Sequence, residues 1–488
     1  MRYYFLKNII DCNDWEKGLN NTSIDNNPEK YECIIKTPKL CPYKIGKFFF
    51  DRFINSSENC YKNMLNSRKN ILKFSKSPYI NENTLHIGYP LINKEERAYL
   101  SKNYYSLRTY ISETLIDMNN LTLIKSLKGK IPEVSIDFSR KEMGNVNINL
   151  HFNKTLSEER KKLEKLTNSY SNNILVLFLD SVSRAYSIRQ LKKTLNFFEN
   201  FISYKGNTNP NFPSQSYHSF QFFKYHSHKY YTPGNYPILF YGNHRKRFNK
   251  HINLYLKKNG FITAYSSDSC FFDYVKSLHD FSKNDIYDHQ YVLCDPNNKS
   301  IKSGLNCFYG KLYCEHMFEY MTQFWVKYKR NRKFSLLLIN LAHEGSLEIL
   351  KYLDNMIFSY FNNLYKDNLL ADTSLFLLSD HGVGVPSIYY FTEFFQYEKI
   401  LPMFYILVND RKNVSYESQY KYIFENQQTL ITGFDIYDTF IHLIYGDKYG
   451  TNETIGIQSN YGTSLFLKIN AKKRHPKRYI SMFDYICK

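Results

Sequence analysis

From residue 173 onward the chain keeps returning to short apolar runs with no polar alternation. These are "NILVLFLD" at 173–180, "FSLLLINLAHE" at 334–344, "TSLFLLSDHG" at 373–382 and "ILPMFYILV" at 400–408. A strand with one face in water alternates apolar and polar residues. A strand that is apolar at every position has both faces covered, as in a mostly parallel sheet flanked by helices. The segments between the runs carry the helical period: Ile188, Leu191, Leu195 and Phe198 are three or four apart, as are Leu350, Leu353, Ile357, Phe361 and Leu364. A helical stretch near 246–258 stops at Gly260, "FITAYSSDSC" follows as a strand, and 314–328 reads as a further helix. The expected fold class is α/β, with a mostly parallel central sheet, helices on both faces, and a smaller irregular N-terminal region.

Residues 1–155 hold irregular apolar patches, strand-like "VSIDFS" and "VNINLHF", and four early cysteines, and read as an accessory region. The charged, then polar, 156–172 reads as a linker, 173–470 as the main domain and 471–488 as a C-terminal tail. Of 488 residues 43% are hydrophobic and 17% aromatic, which supports a large core and excludes disorder over most of the chain. No apolar run reaches the roughly 18 residues of a membrane span, and "MRYYFLKNIIDCND" is too briefly apolar for a clear signal peptide.

A net charge of +20 favours anionic partners. Nucleic acid is not expected, because Lys and Arg do not cluster and no recognition motif is present. Nine cysteines fall as Cys12, Cys33, Cys41 and Cys60, then Cys270, Cys294, Cys307 and Cys314, with Cys487 left over. With no CxxC a zinc ribbon is not indicated, and two groups of four fit disulfide clusters in a lumenal or extracellular protein. Sequons at Asn55, Asn120, Asn153, Asn298, Asn413 and Asn452 agree with that reading, though an Asn-rich chain generates them freely.

In a parallel sheet the ligand site lies beyond the carboxyl ends of the strands. Those ends carry Asp180, His343-Glu344, Asp380-His381 and Asp268. Alone, Asp180 would be a helix N-cap, and Asp268 is left at that reading. Asp380-His381 followed at once by Gly382 is more specific, since glycine permits a tight turn that aims both side chains at one point. Oxygen and nitrogen donors from distant segments suit a divalent metal, zinc first, with manganese or calcium as alternatives. Thr232, in "YTPGNYPILFYG", is the candidate nucleophile, and a divalent cation would make its hydroxyl an alkoxide at neutral pH. Upstream rivals are Thr208, Ser214, Ser216 and Ser219.

"LFLDSVSR", "YTPGNYPILFYG" and "LLSDHG", in this order, resemble the alkaline phosphatase-like superfamily, which includes the sulfatases. A closer resemblance is to a sulfatase-like eukaryotic family catalogued as domain of unknown function 229. It rests on "DSVSR", "FQFFKYHS", "YDHQYVLCDPN", "CFYGK", "INLAHEGSLEILKYLD", "SDHG", "NQQTLITGFDIYDTFIHLIYG" and "GTSLF", from about 173 to 466. The resemblance implies Asp180, Asp380 and His381 as metal ligands, with Thr232 as the metal-bound nucleophile. Thr232 stands five residues before Pro237, the step found in related phosphoethanolamine transferases. It implies His343 as a contact to the anionic substrate or a second metal, and an extracellular or lumenal location.

The sequence also departs from the pattern. Relatives often carry a further His soon after "SDHG"; here 383–392 has none, and the next is His442 in a stretch that reads as an amphipathic helix. No Cys lies between Cys60 and Cys270, so formylglycine-dependent sulfatase chemistry is not expected. The expected activity is metal-dependent hydrolysis or transfer of a phosphate or sulfate ester on a small molecule, glycan or lipid headgroup. Arg184 is a candidate for added charge near the site. The alternative is a degenerate relative that binds an anionic glycan or lipid headgroup without turnover.

Overall fold

The computed structural model describes residues 25, 27–35, 108–111, 114–117, 133–137, 145–171, 173–202, 217–244, 251–268, 287–292, 307–308, 311–343, 350–382, 393–409 and 416–474. Two antiparallel hairpins come first: β1 (Arg108–Ile111) with β2 (Thr114–Asp117), and β3 (Glu133–Asp137) with β4 (Asn145–Asn149). Helix α1 (Lys154–Glu164) occupies much of the stretch expected as a linker. Asn153 caps it by accepting from the Leu156 N–H, and Arg160 pairs with Asp288 at 2.9 Å.

The central sheet is built from β5 (Asn173–Leu179), β6 (Tyr217–Gln221), β8 (Ile262–Ser267), β9 (His289–Val292), β12 (Lys333–Ile339), β13 (Thr373–Leu378) and β14 (Phe404–Asn409). Its order is β6-β14-β13-β5-β12-β8-β9, and β14 alone runs against the rest. Short pairs complete the strands: β7 (Tyr225–His226) with β15 (Ile431–Thr432), and β10 (Cys307–Phe308) with β11 (Lys311–Leu312). The fold class is the α/β architecture expected from the apolar runs.

Strand geometry explains why those runs lack polar residues. Successive side chains point to opposite faces. Leu175, Leu177 and Leu179 of β5 enter one core, with α2 (Arg184–Gln190), α3 (Lys192–Glu199), α6 (Tyr313–Lys327) and α7 (Leu350–Lys366). Ile174, Val176 and Phe178 enter the other, with α4 (Thr232–Tyr241), α5 (Ile252–Lys258), α9 (Tyr416–Asn426) and α10 (Gly433–Tyr445). The stretch around His442 is not half-exposed as its pattern suggested. Helix α10 is buried from Gly433 to Ile444, and the His442 ring stacks on Tyr449 and bonds the Ser464 hydroxyl. Residues 446–474 cover the face that would otherwise meet water, which is why its polar positions carry specific partners.

Residues 25 and 27–35 dock against the main domain. The buried Lys224 ammonium donates to the Asp25 and Cys33 carbonyls at 2.7 and 2.9 Å. Cys33 is disulfide-bonded, whereas Cys314 is a buried free thiol, so the middle group of cysteines is not a closed pair of bridges. The other cysteine side chains lie outside the described residues.

The exits of β5 and β13 are stitched together. Ser379 Oγ accepts from the Val182 N–H at 2.9 Å and donates to the His381 carbonyl at 2.8 Å, while Ser181 Oγ donates to the Gly382 carbonyl at 3.1 Å. Ser181 takes φ of 64°, a left-handed conformation that costs a non-glycine residue on the order of 1 kcal/mol. Its own bond to the Gly382 carbonyl and the adjacent bond from the Val182 N–H hold it there. At Gly382 a Cβ would come within 1.5 Å of the Glu398 carbonyl in α8 (Glu393–Ile400), so only glycine lets the β13 exit pass beneath that helix. Glu398 in turn binds Ser183 and pairs with Arg189 at 2.6 Å.

Gly382→Ala should therefore lower stability by about 1–3 kcal/mol or more in urea unfolding, since α8 has to move. A second expectation concerns Lys333, whose burial pushes its ammonium down from 10.5 to about 7. Between pH 7 and 10 the unfolded chain binds the extra proton, so stability rises with pH across that window. Lys333→Met should remove a slope of up to about 1.4 kcal/mol per pH unit, measured by denaturant titration at several pH values.

Candidate metal and nucleophile site

The parallel register brings the ends of β13, β5, β12 and β8 to one rim. Asp180 directly follows β5, and Asp380 and His381 follow β13 across the Ser379 stitch. Their donor atoms all lie within 4.8 Å of one another, and all three residues are buried. His381 Nε2 stands 3.5 Å from Asp180 Oδ1 and 3.5 Å from Asp380 Oδ2. The other ring nitrogen, Nδ1, lies 2.6 Å from the Gly382 carbonyl. A carbonyl only accepts, so Nδ1 carries a proton, and Nε2 is the ring nitrogen turned toward the carboxylates.

Asp380 Oδ1 accepts a long bond, 3.5 Å, from the Ser181 N–H, while Oδ2 is buried with no hydrogen-bond partner. Burial, and then the neighbouring Asp380 carboxylate, push the Asp180 carboxyl up to about 8. Two carboxylates and an imidazole nitrogen buried together are ligand types that can hold a metal ion. A divalent cation fits that donor set, and the unpartnered Asp380 oxygen is where a purely structural cluster would have placed a donor.

Thr232 arrives from the other side. It is the first residue of α4, after an extended Tyr231 and before Pro233, which a helix tolerates in its first turn. Its hydroxyl donates to Asp180 Oδ1 at 3.1 Å and lies 3.4 Å from His381 Nε2. Asn235 fixes the approach by accepting from the His228 and Lys229 N–H groups at 2.8 and 2.9 Å. The helix ends at Gly242, left-handed at φ 65° and against the Tyr437 ring. Among the upstream rivals, Ser219 sits inside β6, with two strands between it and β5. Thr208, Ser214 and Ser216 lie outside the described residues, as do 383–392 and Glu344.

His343 is half-buried, its ring 6.3 Å from that of His381 and perpendicular to it. Its turn is held by Asp268, which accepts from the Asn340 and Leu341 N–H groups at 2.7 and 3.1 Å. Asp268 thus caps the exit of the neighbouring strand, and burial pushes its carboxyl up to about 7. Arg184 does not join the group. It is 2% exposed, with its guanidinium over the Phe223 ring. Ser181, Ser379 and Asn235 were missed as contributors. The serines flanking each Asp, in "LDS" and "LSD", were the available signal, as was one polar residue inside the apolar start of α4.

No curated protein matches the chain. Among solved structures, the lipoteichoic acid synthase LtaP from Listeria monocytogenes is 13% identical, with a TM-score of 0.40 over 64% of this chain and 81% of that one. The C-terminal periplasmic domain of EcEptC from Escherichia coli is 11% identical, with a TM-score of 0.39 over 66% and 97%. The PsFucS1 sulfatase from Pseudoalteromonas sp. is 11% identical, with a TM-score of 0.37 over 66% and 76%. At these identities and scores, the chemistry of the site rests on its own side chains. Residues 249–481, a little under half of the chain, match the family model described as "Protein of unknown function (DUF229)".

Proposed function

We propose that the chain is a metal-dependent hydrolase or transferase of phosphate or sulfate esters that uses Thr232 as its nucleophile. The observation that carries the reading is the Thr232 hydroxyl, 3.1 Å from a carboxylate that shares a buried cluster with Asp380 and His381. Asp180, Asp380 and His381, with Thr232, would hold the cation; zinc suits the donors best, with manganese or calcium as alternatives. When bound, such a cation lowers the pKa of a coordinated hydroxyl and offsets charge on the transferred group.

Asp180 orients the Thr232 hydroxyl and accepts its proton as the oxygen attacks. The α4 N-terminus favours negative charge on that oxygen. A Thr232 O–P or O–S bond forms as the ester bond in line with it breaks. His343 binds an equatorial oxygen or returns a proton to the leaving alcohol. Water then releases the group, or a second alcohol accepts it. Partners are anionic esters of a small molecule, glycan or lipid headgroup. The disulfide at Cys33 supports an extracellular or lumenal location. Among the described residues no helix is long and apolar enough to cross a membrane.

The alternative, a binder without turnover, is motivated by the absence of His from 383–392. Wild type loaded with metal should hydrolyse an aryl phosphate or aryl sulfate. Thr232→Ala, folded by circular dichroism, should lose about a thousandfold or more in kcat, and Thr232→Ser should keep part of it. Undiminished turnover in Thr232→Ala would remove Thr232 as nucleophile. Absence of turnover with salt-sensitive binding to an acidic polysaccharide, unaffected by Asp380→Ala, would select the binder.

A further inference from the structure

Immediately before Thr232 the chain exposes two aromatic rings. Tyr230 and Tyr231 are 44% and 42% exposed, with centroids 5.4 Å apart and planes at 90°. Large side chains this exposed are usually loose, but these two are held. The Tyr231 carbonyl accepts from the Gly234 N–H and from Asn235 Nδ2, both at 3.1 Å. A Cβ at Gly234 would stand 3.1 Å from Tyr231 Cε2, so the ring rests along the glycine backbone. Tyr230 is fixed on its face by Lys399, whose ammonium lies 3.6 Å from the ring centroid. Lys399 is itself tied to the site, because its carbonyl accepts from the Gly382 N–H at 2.9 Å, one residue after His381.

From this arrangement we propose that Tyr230, Tyr231 and Lys399 form a subsite for the sugar ring of a sugar phosphate or sugar sulfate whose ester reaches Thr232. The proposal rests on the reading of Thr232 and its cluster given above, and names its substrate class. A sugar ring has an apolar C–H face and a polar edge. Tyr231 offers a pre-ordered π-face with a hydroxyl at its rim, so little conformational entropy remains to be lost on binding. Lys399 adds a cation beside the rings that complements the anionic ester. An acyl chain would need an apolar trough instead of phenols and an ammonium. A nucleobase is best held between parallel rings, whereas these are perpendicular.

The test uses the full chain loaded with zinc and four probes: glucose 6-phosphate, glucose 6-sulfate, glycerol 1-phosphate and adenosine 5′-monophosphate. Tyr231→Ala should lower the ratio of kcat/KM for the glucose esters to that for glycerol 1-phosphate by about 10-fold, and Tyr231→Phe should preserve most of it. An unmoved ratio, or a wild-type preference for adenosine 5′-monophosphate over both glucose esters, would overturn the sugar subsite. Should no probe be turned over, the same ratio is read from dissociation constants by calorimetry. Loss of catalysis as a property and loss of ring recognition are thereby separated.

Discussion

The site depends on one electrostatic constraint: Asp180 and Asp380 end adjacent parallel strands, and both are buried. Two like charges taken out of water repel, and each also loses its hydration. Much of the neighbouring backbone is organised around keeping them there. Ser379 bridges the two strand exits, Ser181 accepts a left-handed conformation, and Gly382 passes under α8 where a Cβ would collide. His381, with its Nδ1 proton committed to the Gly382 carbonyl, turns Nε2 toward both acids. Under the proposed function a divalent cation resolves the repulsion, and the Thr232 hydroxyl is the group that benefits.

A second layer sets what lies around the acids. Asp268 spends both carboxylate oxygens on the turn that carries His343, so the exit of β12 is fixed from its neighbour β8. Helix α4 brings Thr232 in from outside the sheet, and the same turn that delivers it displays Tyr230 and Tyr231. Catalytic and recognition roles would then share one backbone segment. A change in its geometry would move both together.

Much of this was legible in the sequence for a physical reason. A strand covered on both faces leaves an unbroken apolar run, and its polar terminus marks the rim. That logic located Asp180, Asp380 and His381 and predicted an α/β sheet. Contacts that cross between segments left weaker traces. A serine that stitches two strand exits looks like any serine beside an Asp. The partner of Asp268 is the backbone of residues 340 and 341, which no side-chain pattern announces. Arg184 beside the motif looked like site charge, yet it packs on Phe223 because its helix faces the core. Helix α10 appeared amphipathic because its buried polar groups bond to residues 446–474, far along the chain.

The most direct measurement is the metal content of purified protein, by elemental mass spectrometry, after exposure to zinc, manganese or calcium and dialysis. The account predicts that wild type retains a stoichiometric divalent cation and that Asp380→Asn, folded by circular dichroism, does not. A wild-type chain that retains none of the three, or an Asp380→Asn chain that retains as much, would contradict it.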